Sequence, residues 1–196
     1  MRLNRRKGLE LIDASKIPSL QIVSYPDPVL RAKCAPIEKF GKPLQLLTER
    51  MWELMRVHRG VGLAGPQVGL AIRIFVFNAT GEPEDNHVCI NPRFENLEGQ
   101  EAGDEGCLSI DGVTVSVKRA KRAVIVAHRP DGVGFRLEGE DLLARIWQHE
   151  TDHLNGRLIL DYQSASEELA NRRAIRQLED KYKEKKAATK KKARRR

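Results

Sequence analysis

The chain is short of several things, and each shortage closes off a class of protein. Its 196 residues include only three cysteines, Cys34, Cys89 and Cys107, with no C-x-x-C pair among them. An odd, scattered set is no disulfide framework, and a reducing cytoplasm is the setting it implies. No apolar run approaches the ~18–20 residues that cross a bilayer, so no membrane partner is expected. Arg2, Arg5, Arg6 and Lys7 near the start are followed by no apolar stretch, which argues against a secretory signal. An organellar transit peptide stays open, with Glu10 and Asp13 weighing mildly against it.

Acidic residues are also scarce at one end. Residues 181–196 hold ten Lys or Arg against the single Glu184, so this stretch carries +9 and leaves −1 for the remainder of a chain whose net charge is +8. The high pI therefore belongs to a basic tail and says nothing about the body. Such a tail could neutralise the phosphates of ribosomal RNA, or be a solvated charge run.

The organisation follows from periodicity. Residues 1–19 show mixed charge and no clear period, and read as an N-terminal extension. Pro26, Pro28 and Pro36 prevent a continuous helix after Leu20. Leu44, Leu47, Met51, Leu54 and Met55 recur at helical spacing and predict a helix over 44–58, stopped by Gly60. The β-branched and aromatic run 72–77 predicts a buried strand, and shorter strands are expected at 88–90, 113–117, 124–127 and 134–137. A second helix starts near Glu140, and a third near Ser166, with Leu169, Ile175 and Leu178 as docking residues. Helix, several strands, then helix implies an α+β fold: antiparallel or mixed β-sheets around a central helix, with a C-terminal helix and basic tail. The expected body is 20–165, with 166–196 as the C-terminal helix and Lys/Arg-rich tail.

What the sequence has in abundance is concentrated in ten residues, Trp147 to Gly156. His149 and His153 stand four apart with Glu150 between them, so on a helix both imidazoles share one face and can grip one metal ion. Glu150 beside that ion could take a proton from a metal-bound water. The helix is apolar on two adjacent stripes, where unpartnered imidazoles and a carboxylate would be costly to bury. Ile146, and less strongly Leu142, are candidate apolar walls of a substrate pocket. The pattern points to a metal-dependent hydrolase and leaves the third ligand open. The extended motif that would put a histidine downstream fails, because Ile159 fills that position. Glu167, Glu168 or Glu179 could serve from downstream. Cys107, in Glu105-Gly-Cys-Leu-Ser109, could serve from upstream and complete a Cys-His-His set with one open position, though a lone Cys is also commonly a small core residue.

Three segments together resemble the peptide deformylase family: Gly60-Val-Gly-Leu-Ala-Gly-Pro-Gln67, Glu105-Gly-Cys-Leu-Ser109 and Gln148-His-Glu-Thr-Asp-His-Leu154. The resemblance extends from about Leu20, through Val23-Ser-Tyr-Pro-Asp-Pro-Val-Leu-Arg31, to about Leu160. It implies removal of the formyl group from N-terminal formylmethionine of new polypeptides, with release of formate. It further implies that Cys107, His149 and His153 bind one divalent metal ion, with Fe2+ the usual one and Zn2+, Ni2+ or Co2+ as substitutes. Glu150 would be the general base, and the Gln67 side chain and the Leu108 N–H would stabilise the oxyanion. The glycine-rich stretch would pair with the substrate backbone, with Gly62 letting the peptide approach and Pro66 aiming Gln67. The ribosome, where such enzymes act, would be the partner of the basic tail. Two departures from the family pattern stand out: Gly65 where Ala is usual, expected to loosen the loop slightly, and Asp111 where Pro is usual.

Overall fold

In a computed structural model, residues 14–193 are described, the side chains of 190–193 excepted. Of the expected N-terminal extension, residues 1–13 lie outside them. In its remainder, Ala14–Ser19 forms a 3₁₀ turn and buries Ile17 against the first helix.

Helix α1 (Lys42–Val57) begins with Pro43 in its first turn, where a missing N–H costs nothing, and buries Leu44, Leu47, Met51, Leu54 and Met55. It ends through Arg59, which takes a left-handed φ of 56° while Gly60 N bonds Met55 O. Strands β1 (Gly62–Ala64), β2 (Ile74–Phe77), β3 (His87–Glu98), β4 (Glu101–Glu105), β5 (Val115–Arg119), β6 (Arg122–His128) and β7 (Gly134–Glu140) follow. They form one five-stranded sheet in the order β1-β2-β3-β6-β7 and a two-stranded sheet β4-β5, with every pair antiparallel. Helices α2 (Leu142–Leu154) and α3 (Ala165–Ala193) complete the chain.

The large sheet lies between two helices, which explains the unbroken apolar run of β2. Ile74 and Val76 join α1 in one core cluster, while Phe75 and Phe77 join Ala144, Ile146, Trp147 and Leu154 of α2 in another. Phe77 meets the Trp147 ring edge-on at 5.9 Å between centroids. A third cluster joins Val115 and Val117 of β5 to Leu158, Ile159 and, from α3, Leu178. Metal-motif helix α2 is thus central, as the sequence implied.

Two strands escape sequence reading. β1 has three residues inside a glycine-rich loop, and β4 reads Glu-Ala-Gly-Asp-Glu, with no apolar alternation. β3 runs far past the expected 88–90, through a register shift between Ile90 and Arg93. On α3, Ile175 packs and Leu178 is buried, but Leu169 faces solvent and does not dock. Leu178→Ala should therefore lower stability by about 2 kcal/mol or more. Leu169→Ala should stay within ~0.5 kcal/mol of the parent, both read by denaturant unfolding.

Candidate active site

One turn of α2 sets His149 and His153 on the same face, their rings 5.0 Å apart. Cys107, two residues past the end of β4, comes to them across 42 residues of sequence. Its Sγ lies 3.4 Å from His153 Nε2, and one donor atom from each of the three residues lies within 4.8 Å of the others. Among the described residues this is the one such group of three. The downstream carboxylates are elsewhere: Glu167 bonds Ser116 N and Ser164 N, and Glu168 and Glu179 also belong to α3. A sulfur and two imidazoles could hold a divalent first-row transition ion, and of the candidate third ligands it is the upstream one that stands beside the histidines.

The electrostatics come from neighbours the sequence did not reveal. His149 Nδ1 bonds Glu105 Oε2 at 2.9 Å, which leaves Nε2 for the Cys107 side. Glu105 also takes two hydrogen bonds from Arg119, at 2.9 Å each, and one from Arg145 at 2.9 Å. Burial pushes the Glu105 carboxyl up, but the Arg119 and His149 bonds and charges prevail and hold it at about 2. Burial also lowers His153, aided by the charges of His149 and Arg119, so its ring is held neutral as a metal ligand must be. Asp152 accepts from Arg119 and from the Tyr162 hydroxyl, one step behind Glu105. Gln148 clasps both the N–H and the C=O of Ala120, fastening α2 to the turn after β5.

Glu150 presents the opposite case. Burial raises its carboxyl to about 7, and Oε2 has no hydrogen-bond partner. Its side chain fills the space beside Gly62, where any Cβ would collide with it. Gly62 is thus required first by the approach of Glu150. Gln67 is buried, with Oε1 accepting from Ala64 N at 2.8 Å, which turns its NH₂ toward Cys107 Sγ at 3.5 Å. Gly65 does not loosen this loop: a Cβ there would meet the carbonyls of Ile72 and Leu70 at 2.8 and 2.9 Å, so the loop has closed onto the glycine.

These groups share a cleft of about 860 Å³ lined by Gly62, Gln67, Cys107, Leu108, Ile146, His149 and Glu150, with Asp111 on its wall. His153 is buried behind it. Leu142, half exposed, sits at the rim, and His58 also lines the cleft. Cys34 and Cys89 are buried free thiols away from it. Glu105, Arg119, Arg145 and Tyr162 are the residues that sequence reading missed. Only Glu105 carried a signal, as the first residue of the Cys107 segment.

Fold and site together define a metal-dependent hydrolase. The polypeptide deformylase family model matches residues 19–168, and the chain belongs to that family. It is 44% identical over 155 residues to a peptide deformylase of Acidothermus cellulolyticus, covering 79% of this chain and 84% of that one. It is 40% identical over 169 residues to the chloroplastic/mitochondrial peptide deformylase 1B of Arabidopsis thaliana, covering 85% and 62%. The crystal structure of a plant peptide deformylase superposes with a TM-score of 0.81 at 40% identity, over 85% of this chain and 92% of that one.

The Glu105 carboxyl has its folded value depressed from 4.5 to about 2, so its stabilising contribution is full above pH ~4.5 and lost as pH falls toward 2. The stability advantage of the parent over Glu105→Gln should be constant above that window and shrink within it, as read by thermal melts across pH 2–6. An advantage that does not change with pH would show that the carboxylate is not held low.

Proposed function

We propose that Cys107, His149 and His153 hold one divalent ion, and that Glu150, Gln67 and Leu108 act around it to remove the formyl group from N-terminal formylmethionine. That deformylation is the reaction of the family to which the chain belongs. The observation that carries this reading is Glu150: a buried carboxylate raised to about 7, one oxygen unpartnered, in the cleft that holds Cys107 and His149.

The ion, when bound, supplies Lewis-acid polarisation and makes a water acidic enough to attack near neutral pH. Glu150 takes the proton of the attacking water on a carboxylate oxygen. It returns that proton to the amine as the formamide C–N bond breaks, giving formate and a free N-terminus. A carboxyl poised near neutrality suits both halves of that transfer. Gln67 donates through Nε2 to the oxygen on which charge develops, and the Ala64 N–H on its Oε1 keeps the amide from flipping. The Leu108 N–H is the second donor. Ile146 supports the reading as an apolar wall for the methionine side chain, and Gly62, in edge strand β1, offers backbone pairing to the peptide. We assign iron as the metal, with zinc, nickel and cobalt as substitutes.

Metal-loaded protein should release formate anaerobically from formyl-Met-Ala, and Glu150→Ala should lower kcat about 10²- to 10⁴-fold. No release from the intact protein overturns the assignment.

A nascent chain on the ribosome is the natural source of this substrate, in the cytoplasm as we read it. α3 continues through Ala193, and its side chains from Lys181 to Lys186 are mostly exposed, so these lysines are presented along a helix. No helix among the described residues is long and apolar enough to cross a membrane. Removing residues 181–196 should weaken ribosome co-sedimentation, an effect that added salt should reproduce in the full chain. Formyl-peptide turnover should be unchanged, and undiminished co-sedimentation would leave the tail without that role.

A further inference from the structure

The geometry points to the first four turns of α3 as a brace for one wall of the cleft, with Glu167 and Asn171 as positioning residues for peptide binding. The inference rests on the deformylase reading and extends it to the residues that follow formylmethionine.

Residues 110–114 line the cleft that holds Gln67, Cys107, His149 and Glu150. This segment joins Cys107 to β5; Ile110 N bonds Cys107 O at its start, just after Ser109 O accepts from Tyr25 N. At its far end β5 pairs with β4 on one edge, and no strand among the described residues pairs with the other. That edge is satisfied by side chains of α3. Asn171 Nδ2 donates to Thr114 O at 2.9 Å, and Ser116 N donates to Glu167 Oε1 at 2.7 Å. The other Glu167 oxygen is fixed by Ser164 N at 2.8 Å and by the Ser164 hydroxyl, so the carboxylate is held on both sides.

Apolar contacts continue the brace. Ala174, Ile175 and Leu178 pack in the cluster that contains Ile110, Val113 and Cys107. The wall therefore takes its position from α3, whereas His149, His153 and Glu150 take theirs from α2. A peptide engaged at Cys107 and along β1 leaves through the cleft that 110–114 bounds, so those residues meet its second and third side chains. Loosening the brace should weaken peptide binding while leaving the groups that act on the formyl carbon in place.

Steady-state kinetics of the metal-loaded full chain on formyl-Met-Ala-Ser tests this. Asn171→Asp sets a carboxylate against the Thr114 carbonyl, and Glu167→Ala removes the acceptor for Ser116. Each should raise KM about three- to tenfold with kcat within about twofold of the parent. Glu167→Gln keeps one oxygen for Ser116 N but loses the acceptor for Ser164 N, so its KM should rise less than that of Glu167→Ala. A role confined to covering a strand edge would lower the melting temperature and leave KM alone. An unchanged KM in both Asn171→Asp and Glu167→Ala overturns the brace while the deformylase reading stands. No formate from the unaltered chain overturns the reading beneath it.

Discussion

The carboxylate of Glu105 is the constraint on which the site depends. It lies buried at the end of β4 and accepts two hydrogen bonds from Arg119 on β5 and one each from Arg145 and His149 on α2. Burying a carboxylate and a guanidinium is costly, and only near-complete pairing offsets it. The same pairing fixes geometry. Because Cys107 follows Glu105 by two residues, whatever holds Glu105 against α2 also brings Sγ to His153. Asp152 and Tyr162 close the far side of Arg119, so the arginine has no freedom to release its partner. Such an arrangement orients the imidazole before any metal arrives.

Two buried glutamates stand beside His149 with opposite properties. Glu105, surrounded by cations, is held at about 2, while Glu150, left without a bonded cation, is raised to about 7. Chemistry that moves a proton needs the second kind, and a scaffold that orients a ligand needs the first. Gly62 and Gln67 serve the same division. The glycine yields its side-chain volume to Glu150, and the glutamine spends its oxygen on Ala64 so that only its NH₂ is offered to the cleft.

Much of this was legible in the sequence because it was local. The four-residue spacing of His149 and His153 needs nothing but a helix, α1 and α2 follow from period, and β2 follows from its run of β-branched and aromatic residues. Cys107 was legible only as one of several candidate ligands until the family resemblance singled it out. What stayed hidden depends on partners distant in sequence. β4 exists as a strand because Arg119 and Arg145 take up its acidic end, and a charged pentapeptide carries no such signal. Leu169 and Leu178 look alike in sequence, and only the direction of α3 across β5 separates the exposed one from the buried one.

Gly65 makes the same point in reverse. By residue type it promised a looser loop, but the carbonyls of Leu70 and Ile72 lie where a Cβ would stand. The sequence by itself determined the paired histidines, the carboxylate between them and the α+β plan, since each is written in residue type and short-range spacing. Tertiary structure alone decided which ligand candidate reaches the histidines, which carboxylate is ionised, and which helix supports the wall of the cleft. Those outcomes turn on burial and on hydrogen bonds between residues dozens of positions apart, and no local pattern encodes them.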